Sequence, residues 1–131
     1  MTVKTGAAAL GLIALSAGFS AWGWLATPPG AEIAVHWDAS GAPDRYGGKA
    51  EAFLLSPGLA VLVSLILLAA PHIDPRGRNL ARSGPVLSTV WLGTLAVLAA
   101  AQAGITLTAV GVFTPDGGAI PLLVGLSACA L

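Results

Sequence analysis

Four side chains in one short polar stretch, His36, Asp38, Asp44 and Glu51, have the chemistry of a metal site or an acid–base pair. His36 and Asp38 are one residue apart, so they share a side of an extended strand, and an imidazole beside carboxylates suits a divalent cation. The set matches no recognised ligand pattern. Asp38-x-Ser40 begins like a calcium loop, but the later oxygens and the closing glutamate miss the required spacing. The competing reading is structural: His36 and Trp37 at a membrane interface, Asp38 bonding its own turn, and Asp44 and Arg45 guiding the approach to a helix. The structural reading is preferred, and neither a metal nor a cofactor is expected.

Nucleophilic catalysis has no better footing. The one thiol, Cys129, lies in an apolar run, and Ser16, Ser56, Ser64 and Ser88 are scattered through apolar segments where hydroxyls usually bond their own backbone or a neighbouring helix. His72 with Asp74 is a conceivable acid–base pair, but Asp74-Pro75 more simply marks a turn, and Arg76, Arg78 and Arg82 suit anionic headgroups. Gly6-x-x-x-x-Gly11 lacks the Lys-Ser/Thr of a phosphate loop. The chain is read as a non-enzyme. With zero formal net charge and no basic patch, nucleic-acid binding is not expected either.

The elements that position these residues are written in the charge distribution. No charged side chain occurs from Thr5 to Gly30, from Ala52 to Ile73, or between Arg82 and Asp116. A spanning helix needs roughly 20 predominantly apolar residues to cross about 30 Å of hydrocarbon. At 9% charged residues and a mean hydropathy of +0.84, the chain is read as one membrane domain over residues 1–131. Spans are expected at about 5–26, 52–70, 84–107 and 119–131, with an outer loop at 27–51 and an inner loop at 71–83. The first run also begins as a signal peptide does, but its length and its closing Trp22 and Trp24 favour an uncleaved anchor. Pro57 and Pro85 are placed in the first turns of their helices. The last run covers only about 20 Å if helical, so it is read as a partial span, with the chain truncated.

Lys4, Arg76, Arg78 and Arg82 fall on one side of the membrane, and Arg45 and Lys49 on the other. The richer side should be cytoplasmic. This puts the N-terminus inside and the loop at 27–51 outside. Within that loop, Glu32 to Trp37 alternates as a short strand does, Asp38-Ala39-Ser40-Gly41 offers a turn, and Gly47-Gly48 guides re-entry. Asp44, Arg45 and Lys49 are expected to anchor the loop at the interface, with any pairing of Asp44 with Arg45 or Lys49 contributing about 0–1 kcal/mol, and Gln102, the one strongly polar side chain deep in a run, to bond between helices.

Ile33, Val35, His36, Trp37, Asp38, Gly41, Pro43, Asp44, Gly47 and Lys49, in this order after a hydrophobic helix, resemble the domain of unknown function at the N-terminus of SdpI-like membrane proteins. Pro71, Asp74, Pro75, Arg76 and Asn79 resemble the segment that ends the second helix in that family. The resemblance covers most of residues 20–83. It implies a multi-pass protein of the bacterial cytoplasmic membrane that confers immunity to a toxic secreted peptide or takes part in signalling. Family members also carry a Gly-x-Arg motif between later helices, and no such motif occurs here.

The resulting expectation is an all-α membrane protein, three full spans plus a partial fourth, with an ordered extracytoplasmic loop. Its partners are the lipid bilayer and a hydrophobic peptide or another membrane protein. The alternative is an accessory or small-solute transport subunit, although no run contains the ionisable residue that usually marks a transport pathway.

Overall fold

The computed structural model describes residues 2–38, 40–73 and 84–113. Three helices carry the fold: α1 (Val3–Ala26), α2 (Lys49–Ile73) and α3 (Gly84–Ala109). Each is long and apolar enough to cross a membrane. Between α1 and α2 the chain forms an antiparallel hairpin, β1 (Ile33–Trp37) and β2 (Pro43–Gly47). The hairpin is an addition to the all-α expectation. Pro43-Asp44-Arg45-Tyr46-Gly47 shows no strand alternation, and it is drawn into the sheet by pairing with β1 rather than by its own pattern. The fourth run at 119–131 and the inner-loop residues Asp74, Pro75, Arg76 and Asn79 lie outside the described residues. Pro71 falls in the last turn of α2.

Local chemistry sets the helix ends. Thr2 caps α1, its hydroxyl accepting from the Thr5 N–H at 3.2 Å. At the other end Thr27 turns extended, its N–H and hydroxyl both donating to the Gly23 carbonyl at 3.1 and 2.8 Å. Pro28 and Pro29 follow and cannot continue the helix.

The second helix opens at Lys49, earlier than the apolar run suggests. Glu51 in its first turn complements the positive end of the helix dipole, so the helix begins in the polar zone and enters the apolar zone already formed. Pro57 therefore sits beyond the first turns, where its missing N–H leaves the Phe53 carbonyl without an intrahelical donor.

The helices meet through small residues, as expected where lipid removes the hydrophobic incentive for association. Ala9, Ser16, Ser20 and Gly23 are the buried positions of α1. One apolar cluster joins Ala9, Ala60, Trp91 and Leu95 across all three helices. The Trp91 indole N–H donates to Ser64 Oγ at 2.9 Å, and the Ser64 hydroxyl donates to the carbonyl of Ala60 at 2.7 Å. A second cluster of Ile33, Ala52 and Phe53, flanked by Ile105 and Ala109, seats β1 on the ends of α2 and α3. The outward leucines of α2, such as Leu55, Leu62 and Leu65, are left to lipid.

Candidate functional site: a strapped hairpin over a polar helix clasp

The hairpin turn is organised by one carboxylate. Asp38 Oδ1 accepts from the Ser40 N–H (2.8 Å), the Ser40 hydroxyl (2.6 Å) and the Ala42 N–H (3.0 Å). The Asp38 carbonyl accepts from Gly41 N–H, and the Asp38 N–H donates to the Ala42 carbonyl. Gly41 has a φ of 84°, the left-handed region a side chain would strain. These donors, the Ser40 hydroxyl first and the Ala42 amide next, hold the Asp38 carboxyl below its ordinary value.

Across the strands His36 Nδ1 lies 2.6 Å from Asp44 Oδ1. Asp44 therefore pairs with His36, and Arg45 reaches 2.5 Å to Glu51 Oε1 on α2. Asp44 pairs with neither Arg45 nor Lys49. The ladder is irregular here: His36 is in register with Arg45, and a bulge between His36 and Trp37 leaves Asp44 without a register partner, so its carboxylate reaches His36 while Arg45 reaches α2. Lys49 takes a third role: its ammonium donates to the Thr27 carbonyl at 2.7 Å and lies 5.1 Å from the centre of the Trp24 ring. Lys49 thus covers an orphan carbonyl at the end of α1 and stacks on an aromatic face. Gly47 admits this geometry, because a Cβ there would overlap the Glu51 carboxylate.

Of the sequence-nominated residues, the structure joins His36 to Asp44 and leaves Asp38 to its turn. Trp37 is half-buried on β1, Pro43 begins β2 opposite Trp37, and Lys49 straps the base. Among the described residues no three His, Cys, Asp or Glu side chains converge, and no serine, threonine or cysteine hydrogen-bonds His36.

Beneath the hairpin is a set of contacts the sequence signalled only in part. The Ser20 hydroxyl donates to the Phe53 carbonyl. Gln102 Nε2 donates to the Ala52 carbonyl at 3.2 Å and to Thr106 Oγ1 at 3.3 Å, and the Thr106 hydroxyl donates to the Phe19 carbonyl at 3.1 Å. All three helices are clasped at one level. The Phe53 ring packs on Gly23, where a Cβ would overlap it. The signal for Ser20 was Pro57: a proline within a span strips a carbonyl four residues back, and a neighbouring helix must supply the donor.

Residues 11–61 match the family model of a domain of unknown function, DUF1648. The match runs from the first half of α1 through the whole hairpin to the middle of α2. It therefore contains the Asp38 turn, the Lys49 strap and the Ser20–Phe53 contact, and leaves Gln102 and Thr106 on α3 outside. No curated protein and no solved structure matches the chain.

Proposed function

We propose that this is a non-enzymatic, multi-pass protein of the bacterial cytoplasmic membrane that recognises a hydrophobic peptide at the membrane surface through its hairpin. The observation that carries the reading is the contrast between the two strands. β1 is seated on the second apolar cluster, whereas β2 is exposed along most of its length. Among the described residues the sheet has two strands, so the outer edge of β2 retains N–H and C=O groups that no strand pairs. Such an edge accepts an extended peptide by strand addition. Because Arg45 and Lys49 strap the hairpin base to α2 and α1, that edge is already ordered before a partner arrives, which lowers the cost of binding.

The resemblance of the hairpin motif to SdpI-like immunity proteins supports a toxic peptide as the ligand, and signal-related recognition would use the same edge. The distribution of Lys and Arg supports an extracytoplasmic hairpin, where a secreted peptide would meet it.

The test is survival. Bacteria expressing the chain should withstand a secreted membrane-active peptide better than cells without it, and replacing residues 34–49 with a Gly/Ser linker should remove the protection. Protection that persists in the linker variant would refute recognition by the hairpin. Chain-dependent flux of a small solute into reconstituted vesicles would favour a transport subunit instead.

A further inference from the structure

Two concavities lie on either side of the contact between Lys49 and Trp24. The first is an apolar groove of about 440 Å³ between α1 and α2, lined by Ala17, Ala21, Trp24, Leu25, Leu54 and Pro57. The short side chains of Ala17 and Ala21 on α1 leave the space open between Trp24, Leu54 and Pro57. Ser20 also borders the groove, but its hydroxyl is committed to the Phe53 carbonyl. From Ala17 to Leu25 the groove follows α1 for about 12 Å at 1.5 Å per residue, most of one leaflet of a hydrocarbon core about 30 Å thick.

The second is a cleft of about 500 Å³ at the hairpin base, lined by residues 29–32 and 46–49. Lys49 borders the cleft, and its ammonium lies over the ring of Trp24, which borders the groove. Among the described residues, one of the three N–H donors of Lys49 is engaged, by the Thr27 carbonyl. The cleft also presents Glu32, which is exposed and has no ion-pair partner among the described residues. Arg45 and Glu51, the nearby charges of α2 and β2, are taken up with each other.

The cleft therefore offers one cation and one carboxylate that have no ion-pair partner among the described residues, beside a hydrocarbon slot. We propose that this is a binding site for a zwitterionic phospholipid of the phosphoethanolamine type. Its phosphate engages Lys49 and the unsatisfied N–H groups at the start of α2. Its ammonium engages Glu32, and one acyl chain fills the groove. A wholly anionic headgroup would leave Glu32 repelling it. A partner helix would occupy the groove but have no use for the charge pair. The site touches β2 only at its last two residues, Tyr46 and Gly47, and does not include Pro43, Asp44 or Arg45.

The experiment is lipid retention by the purified full chain in detergent, read by native mass spectrometry, with phosphatidylethanolamine and phosphatidylglycerol supplied in equal amounts. The wild type should retain phosphatidylethanolamine in preference by about fivefold. Ala21→Phe, which fills the groove, should lower retention of both lipids. Glu32→Lys should reverse the preference toward phosphatidylglycerol, an outcome that loss of folding cannot mimic. Equal retention of the two lipids by the wild type, or a preference unchanged by Glu32→Lys, would each overturn the assignment.

Discussion

The hydroxyl of Ser20 on α1 donates to the carbonyl of Phe53 on α2, and Pro57 is the reason that carbonyl is open. A backbone acceptor without a partner costs several kcal/mol in hydrocarbon, so the proline is tolerated because the neighbouring helix answers it. Ser20 is buried against α2, and the contact couples the helix before the hairpin to the helix after it.

Replacing Ser20 with alanine should therefore destabilise the bundle by roughly 1–2 kcal/mol, measured by denaturant unfolding in detergent. In a Pro57→Ala background the helix regains its own donor, and the same substitution should cost much less. Equal costs in the two backgrounds would show that the contact does not compensate for the proline.

Gly23 supplies the second test of this level of the fold. A methyl group there overlaps the Phe53 ring, and Phe53 is fully buried between α1 and the seat of β1. Gly23→Ala should destabilise by about 1–3 kcal/mol. Phe53→Leu, which withdraws the ring, should make the glycine substitution better tolerated than it is in the wild type. Hydrogen exchange of the hairpin amides should report the loosening, because Ile33 rests on the same ring.

Asp38 makes the hairpin turn sensitive to strong acid only. Its carboxyl is held below the ordinary value, chiefly by the Ser40 hydroxyl and next by the Ala42 amide. A depressed carboxylate contributes stability that is present above the unfolded-state value and is lost as pH falls through the folded one. Protection of the Ala42 amide should thus be constant from neutral pH down to the ordinary carboxylate range and decline below it. Asp38→Ala should remove the protection at every pH, and Asp38→Asn should retain part of it while losing the pH dependence.

The topology can be read by labelling. With Cys129 replaced by serine, a cysteine at Ala42 should react with an impermeant thiol reagent in intact cells, and a cysteine at Thr2 should react only after permeabilisation. The reverse pattern would place the hairpin on the cytoplasmic side and remove a secreted peptide from the proposed function.

How much of this was legible depended on whether the determinant was local. Uncharged length identified α1, α2 and α3 as helices able to cross a membrane, because that requirement is met within each segment. The Asp38 turn was legible for the same reason: Asp, Ser and Gly at those positions act on backbone two to four residues away. β2 was not, since its pairing is imposed by β1. Nor were the partners of Asp44 and Arg45, which follow from the bulged register of the hairpin at His36. Ser20 could have been found by asking who answers Pro57. Thr106, whose partner Phe19 is on a helix distant in sequence, carried no such signal.

Gln102 provides a contrast with Ser20, although both are buried and both donate to a carbonyl of α2. Its Nε2 reaches Ala52, whose carbonyl has the N–H of Ser56 as an in-register helix donor, and its Oε1 is buried with no partner among the described residues. Removing the amide leaves no backbone group of α2 orphaned and relieves one unsatisfied acceptor. Thr106 keeps its own contact to Phe19. Gln102→Leu should accordingly change unfolding stability by no more than about 1 kcal/mol, less than Ser20→Ala, even though the glutamine is the larger and more deeply buried side chain. A loss of several kcal/mol on Gln102→Leu would mean that the amide, rather than the proline-driven Ser20 contact, is the principal polar fastening of the three helices.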